Sequence, residues 1–192
     1  MVEGDVLFLI RVRQDLVSNV MNALAIKGRD KELGRGMFPS ENWHQSISDA
    51  LPGDPPSRAR LRAVGARVSA PAFHFVLDRI CSRGNSGDPV QWSLRGPENK
   101  PRGLTALADM LRAGIESEGF GPQGGHTAHV TLSYDAPARL ADALRIPPVA
   151  WSIDAFELVA CRHRPYRYET IERWPLLRPG EPVHGQPDLF GV

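Results

Sequence analysis

An α+β fold with two similar halves is predicted by three features of this 192-residue chain. Short apolar runs of strand length alternate with stretches of helical periodicity. A strand pattern that begins with a histidine occurs twice, at Trp43-His44-Gln45-Ser46-Ile47-Ser48 and at Ala128-His129-Val130-Thr131-Leu132-Ser133. The order strand, helix, histidine strand recurs once in each half of the chain, and no period of repeat-protein length accompanies it.

The elements follow in order. Residues 6–10 form a buried strand that the alternation Arg11-Val12-Arg13 continues. Asp15 is placed to cap the next helix, in which Leu16, Val17, Val20, Met21 and Leu24 recur at helical spacing. Residues 28–36 read as a charged, glycine-containing loop into the first histidine strand, about residues 42–48. Leu51-Pro52-Gly53-Asp54-Pro55-Pro56 breaks regular structure before a short helix at residues 57–64.

Residues 68–81 predict a strand with Phe73, Phe75 and Leu77 on one face and His74, Val76 and Ile80 on the other. Residues 83–88 turn it into a second strand at 90–94. The strongest helical stripe runs from Leu104 to about Glu118 through Leu107, Ala108, Leu111 and Ile115, with Gly119 where a C-terminal cap belongs. A flexible loop at 121–125 leads to the second histidine strand, about residues 127–134. Asp135-Ala136-Pro137 predicts a short helix through Leu144, followed by strands at 150–160 and 166–171 joined by the basic turn Arg162-His163-Arg164-Pro165. Residues 1–178 thus make one domain of two lobes, and the Pro- and Gly-rich residues 179–192 a flexible tail.

Composition narrows the function classes. With 23 basic and 22 acidic residues the formal net charge is +1, which argues against a bulk nucleic-acid coat and requires any anionic ligand to be met by local charge. Lys27, Lys31 and Lys100 are the only lysines, so the other twenty basic residues are arginines, suited to bidentate phosphate contacts or reflecting a composition bias. Cys81 and Cys161 are too few for a disulfide scaffold or a cysteine zinc cage and fit a reducing cytoplasm. The longest early apolar run, residues 6–10, is too short for a signal peptide or a membrane span.

The histidine motifs carry the chemistry. Strand alternation puts His44, Ser46 and Ser48 on one face and His129, Thr131 and Ser133 on another, while Ile47, Val130 and Leu132 turn to a core. Hydrolysis of a cyclic phosphodiester needs water to lose a proton and the leaving ribose oxygen to gain one. Imidazole, with an ordinary pKa of about 6.5, serves as base when neutral and as acid when protonated. Hydroxyls one strand step away donate to the phosphoryl oxygens. A lone His-x-Ser/Thr triplet is more often an ordinary strand feature; two of them, 85 residues apart and each preceded by a helix, point to one site.

The chain resembles the two-histidine phosphoesterase superfamily, and within it the bacterial 2'-5' RNA ligase-like proteins, also described as RNA 2',3'-cyclic phosphodiesterases. The likeness rests on Glu41-Asn42-Trp43-His44, His129-Val130-Thr131-Leu132, Phe156-Glu157-Leu158-Val159, Tyr168 and Arg173-Trp174-Pro175-Leu176. It implies a pseudo-symmetric, two-lobed fold of antiparallel sheets with helices outside and a central cleft. It also implies His44 and His129 as the acid–base pair, Ser46 and Thr131 as phosphate ligands, and no metal or cofactor. Ser46 stands where threonine is commoner, Gln45 where an apolar residue is usual, Ala128 where proline often precedes the second histidine, and Cys161 where serine is frequent. The implied reaction opens 2',3'-cyclic phosphates on RNA ends or nucleotides to 2'-phosphates, with 2'-5' joining as its reverse, in a cytoplasmic monomer. We expect His129 as base and His44 as acid, an order that nothing in the sequence fixes.

The remaining candidates divide. His74 lacks a hydroxyl two residues on, since Val76 is there, and reads as structural. His126 precedes His129 by three residues, an odd offset that puts the two on opposite strand faces, with no cysteine or carboxylate cluster for zinc. The turn with Arg162, His163 and Arg164 is either a solvated loop or a grip on RNA phosphates. Tyr134, directly after the second motif, and Trp43, Tyr166 and Tyr168 are candidates for stacking on a base or for core positions. In the tail, Gln186, Leu189 and Phe190 resemble the short peptide by which bacterial proteins dock on the DNA sliding clamp; the other reading is a tail folded back on its own domain. Competing functions are a non-catalytic RNA-binding or clamp-associated adaptor and a phosphodiesterase for another nucleotide.

Overall fold

The computed structural model describes residues 4–84, 88–163 and 165–178, apart from the side chains of Asp30, Glu32 and Arg35. Arg164 and the tail at 179–192, with Gln186, Leu189 and Phe190, lie outside the described residues.

Along the chain come β1 (Val6–Arg11), α1 (Gln14–Ile26), α2 (Arg29–Leu33), β2 (His44–Ser46), α3 (Pro55–Arg67), β3 (Phe73–Arg83), β4 (Val90–Arg95), α4 (Arg102–Ser117), β5 (Val130–Ala136), β6 (Leu144–Ile153), β7 (Ala155–His163) and β8 (Tyr166–Pro175). The strands form two antiparallel four-stranded sheets, ordered β2-β1-β7-β8 and β5-β4-β3-β6. Each histidine motif therefore occupies the edge of its own sheet. The first lobe is completed by the last two strands of the chain, so the lobes are not simply its N- and C-terminal halves.

Burial explains this arrangement. β1 is central in its sheet and is covered on both faces: Val6, Phe8 and Ile10 enter the main core, while Leu7 and Leu9 pack with Val159, Cys161 and Tyr168 on the other side. In the second sheet the bulge between Leu77 and Arg79 changes strand parity, so Ile80 is buried along with Phe75 and Leu77 rather than opposite them as the uninterrupted alternation predicted. Pro147 and Pro148 are tolerated because β6 is an edge strand, where a missing N–H breaks no internal ladder. Helices α1 and α4 bury the apolar stripes read from the sequence, and Gly119 follows α4 with φ +79°, a left-handed conformation that glycine adopts without strain.

Several expectations are corrected. Asp15 lies in the first turn of α1 rather than at its cap; Arg13 occupies the cap and its guanidinium holds Asp15 at 2.8 Å. The loop at 28–36 contains α2 and a 3-10 turn, Gly34–Gly36. The third helix starts earlier and ends later than predicted, with the Asp54 side chain accepting from the Ser57 N–H at its start. No helix forms at 135–144. Ala136 pairs with Val90 in β5, and the following segment is tied across the β3–β4 hairpin: the Ala138 carbonyl accepts from Trp92 Nε1 and the Leu140 N–H donates to Ser82 Oγ. The single strand predicted at 150–160 is two, β6 and β7, which the chain places in different sheets across Asp154. Among the described residues no helix is long and apolar enough to cross a membrane.

Candidate active site

His44 and His129 are anchored in the same way. Each Nδ1–H donates to the backbone carbonyl two residues earlier, His44 to Asn42 at 2.7 Å and His129 to Thr127 at 2.8 Å. A carbonyl can only accept, so each neutral ring carries its proton on Nδ1 and leaves Nε2 for chemistry. The third residue of each motif stays nearby: Ser46 Oγ donates to His44 Nε2 at 3.1 Å, and Thr131 Oγ1 accepts from Gln91 Nε2 at 3.0 Å. Because Gln91 donates, the Thr131 hydroxyl keeps its own proton for a ligand.

The fourth-on serines have a different task. Ser48 Oγ accepts from the Phe8 N–H and donates to the Asp49 carbonyl, and Ser133 Oγ donates to the Gly36 carbonyl and accepts from the Asp135 N–H. Both are buried and fasten neighbouring backbone. Within each motif, then, the first hydroxyl stays near the imidazole or free to donate, while the second is spent on structure.

What joins the two motifs is Gln45. It faces the core, as strand alternation requires of the residue after His44, and is 0% exposed. Its Oε1 accepts from the backbone N–H of His129 at 2.5 Å, and its Nε2 donates to the carbonyls of Ser46 and Thr127. Leaving one such buried polar partner unsatisfied costs about 1–3 kcal/mol, so these bonds hold β2 against the start of β5.

Electrostatics separates the histidines. Burial pushes the His44 pKa down to about 4, with the charges of His129 and Arg11 adding to the effect and the bond to Asn42 opposing it. Burial also lowers His129, assisted by the positive charges of Arg95 and Arg83. With both pKa values lowered, the neutral imidazole is the favoured form at neutral pH in the empty site. Among the described residues neither Arg83 nor Arg95 has a carboxylate at ion-pairing distance, whereas Arg11 is held by Glu157 at 3.2 Å.

A row of aromatic rings connects the motifs. Tyr168 lies edge-on to the His44 ring, centroids 4.7 Å apart; its hydroxyl is 2.8 Å from that of Tyr166; Tyr166 contacts Phe38, and Phe38 meets Tyr134 edge-on at 5.3 Å. Burial raises the Tyr168 pKa to about 12, so this phenol stays neutral. Tyr134 is half exposed and retains a face for a ligand. Trp43 is removed as a stacking candidate, being fully buried with Nε1–H donating to the Phe38 carbonyl.

The other predicted residues contribute less. Arg162 is paired with Glu169 at 2.7 Å, and Arg167 shares the same carboxylate. His74 is exposed on β3. His126 precedes β5 and lies in no strand, so the opposite-face expectation does not apply; its Nε2 is buried without a hydrogen-bond partner, 4.0 Å from Asp49 Oδ1. Gln91 and Arg95 were not singled out from the sequence, because their relevance depends on cross-strand pairing, Ser93 opposite Thr131. Gln45 did leave a signal: a polar residue at a core-facing strand position.

His44 in β2 and His129 at the start of β5 thus stand on edge strands of two antiparallel sheets in a two-lobed fold. Solved structures agree with that class of fold. The chain superposes on apo LigT of E. coli with TM-score 0.69 and 24% identity, covering 90% of this chain and 97% of that one. It matches TT0787 of Thermus thermophilus with TM-score 0.68 and 21% identity over 90% and 97% of the two chains. A further structure described as a phosphoesterase gives 0.67 and 24% over 90% and 98%. LigT has been crystallised with 3'-AMP, ATP, NADP+ and phosphate. The chain therefore has the LigT fold over nearly its whole length. No protein-family model matches the sequence, and no curated protein does.

Proposed function

We propose that this chain is a two-histidine phosphoesterase that opens 2',3'-cyclic phosphodiesters on RNA ends or nucleotides to 2'-phosphates, without a metal or cofactor. The observation that carries the reading is the matched pair of imidazoles, each fixed through Nδ1 so that the neutral ring carries no proton on Nε2, and each accompanied by a hydroxyl, on strand edges that Gln45 fastens together. The nucleotide complexes of LigT, whose fold the chain shares, support a nucleotide-derived substrate.

In the proposed reaction one neutral imidazole takes a proton from water as its oxygen bonds to phosphorus. The bond from phosphorus to the 3'-oxygen breaks, and the other imidazole, protonated, supplies the proton that the 3'-oxygen takes up. The hydroxyl of Thr131, and that of Ser46 once it turns away from His44 Nε2, donate to the non-bridging oxygens, and the guanidinium of Arg95 offsets their charge. Burial favours the neutral form of both rings in the free enzyme, the form a base requires. A bound phosphate anion raises both histidine pKa values, and the ring that takes up a proton is then the acid. Run backward, the same steps join a cyclic-phosphate end to a 5'-hydroxyl as a 2'-5' linkage.

The test is incubation of the purified chain with adenosine 2',3'-cyclic phosphate, with and without excess EDTA, followed by product separation. The 2'-phosphate is expected as product, in the same yield under both conditions. No product contradicts the reading and favours a binding role; the 3'-phosphate alone contradicts the proposed cleavage of the bond to the 3'-oxygen. A sliding-clamp partner is a separate proposal that rests on the sequence at Gln186, Leu189 and Phe190 alone. Retention of the full chain on immobilised clamp, with loss for a chain ending at Arg178, supports it; equal retention removes it.

A further inference from the structure

We infer that Gln45 is a positioning residue that sets the reactive geometry of His129 from the strand carrying His44; this rests on the acid–base reading above. β2 and β5 belong to different sheets and are not neighbours in either, so no ladder of backbone bonds fixes one histidine relative to the other. Gln45 supplies the missing connection. Its Oε1 receives the His129 N–H at 2.5 Å, and its Nε2 donates to the Thr127 carbonyl at 3.3 Å. That carbonyl is also the acceptor, at 2.8 Å, for His129 Nδ1–H. The amide thus grips both backbone groups that determine where the His129 ring sits and which nitrogen carries its proton.

The other end is equally fixed. Gln45 is covalently next to His44, pairs with Ile10 in the β1–β2 ladder, and uses its second N–H on the Ser46 carbonyl at 2.7 Å. Every polar atom of the side chain is engaged, and the residue is fully buried. A core-facing strand position is ordinarily filled by an apolar side chain, and a hydrocarbon of the same length packs the same volume. Packing alone therefore does not call for an amide here; holding the Thr127–His129 turn does. A misplacement of about 1 Å in a reacting group is enough to cost about a hundredfold in rate.

Two variants separate positioning from packing. Gln45→Met keeps the volume and loses all three bonds; its kcat on a 2',3'-cyclic nucleotide is expected to fall about 10- to 100-fold, with KM nearly unchanged in a chain still folded at the assay temperature. Gln45→Glu, when its carboxyl is protonated, keeps one acceptor and one donor; when ionised it keeps the acceptor for the His129 N–H but sets an acceptor in place of the donor against the Thr127 and Ser46 carbonyls. Its kcat is expected to approach that of the wild type at low pH and to fall as the carboxyl ionises, a descending limb additional to that of the wild type and at lower pH. A folded Gln45→Met chain with wild-type kcat, or a Gln45→Glu chain with the wild-type pH profile, overturns the inference while leaving the acid–base reading intact. A wild type whose turnover is indifferent to His129→Ala overturns that reading, and the role given to Gln45 with it.

Discussion

The His44 half and the His129 half of the site start from almost the same motif and end in different electrostatic surroundings. Both rings are fixed through Nδ1 to the carbonyl two residues back, and both motifs end in a serine that fastens backbone. Around His44 the structure is closed: Ser46 bonds to Nε2, Tyr168 covers the ring edge, and the nearby Arg11 is neutralised by Glu157. Around His129 it is open to an anion: Thr131 is oriented by Gln91, and Arg83 and Arg95 are without carboxylate partners among the described residues. A repeated triplet specifies where the imidazoles are held; what differs between them comes from the strands alongside.

This contrast can be broken in several ways, beginning with the largest effect. On the proposed mechanism each imidazole transfers a proton, so His44→Ala and His129→Ala are each expected to lower turnover about 100- to 10,000-fold, measured with saturating cyclic nucleotide. Wild-type turnover in one of them would leave a single functional half. Next, Thr131→Val keeps the shape but removes the donor oriented by Gln91; kcat is expected to fall about 10- to 100-fold, and Gln91→Leu to reproduce part of that loss. Ser46→Ala is expected to lose less, since its hydroxyl is already engaged by His44.

Arg95→Ala tests the open half. KM for an RNA end should rise about 3- to 10-fold with kcat largely kept, and the dependence of KM on salt should weaken. An equal effect from Arg162→Ala would contradict the contrast, because Arg162 is already paired with Glu169.

The smallest effect is on stability. The His44 pKa, about 4 in the fold against 6.5 for the unperturbed side chain, means that the unfolded chain binds the extra proton between these values. Stability should therefore fall as pH drops from about 6.5 toward 4. His44→Gln should flatten that slope in melting curves, and an unchanged slope would mean that the ring is not held neutral by burial.

Much of this site was legible from the sequence, for a physical reason. Strand alternation is local, so His44 with Ser46 and His129 with Thr131 could be paired, and Ile47, Val130 and Leu132 assigned to the core, before any fold was known. The apolar run of β1 and the stripe of α4 were visible likewise. Gln91, Arg95 and the aromatic row were not, because cross-strand register and side-chain reach between lobes leave no mark at fixed spacing. The helix expected at 135–144 failed for a related reason: bonds from Trp92 and Ser82, distant in sequence, fix that segment against its local preference. For Arg162 the sequence leaves a solvated loop and a grip on phosphate both open, because its partner Glu169 lies across a hairpin. Gln45 stood out as unusual, yet its role becomes apparent only when His129 is brought beside it.

The central claim is that the two halves work as one acid–base pair. Its most direct measurement is the pH profile of kcat/KM for a 2',3'-cyclic nucleotide in the wild type and in the two histidine variants, with EDTA throughout. A bell is expected for the wild type and, in the residual activity of each variant, loss of the limb belonging to the missing ring, a different limb in each. A bell that survives in either variant, or loss of the same limb in both, would contradict it.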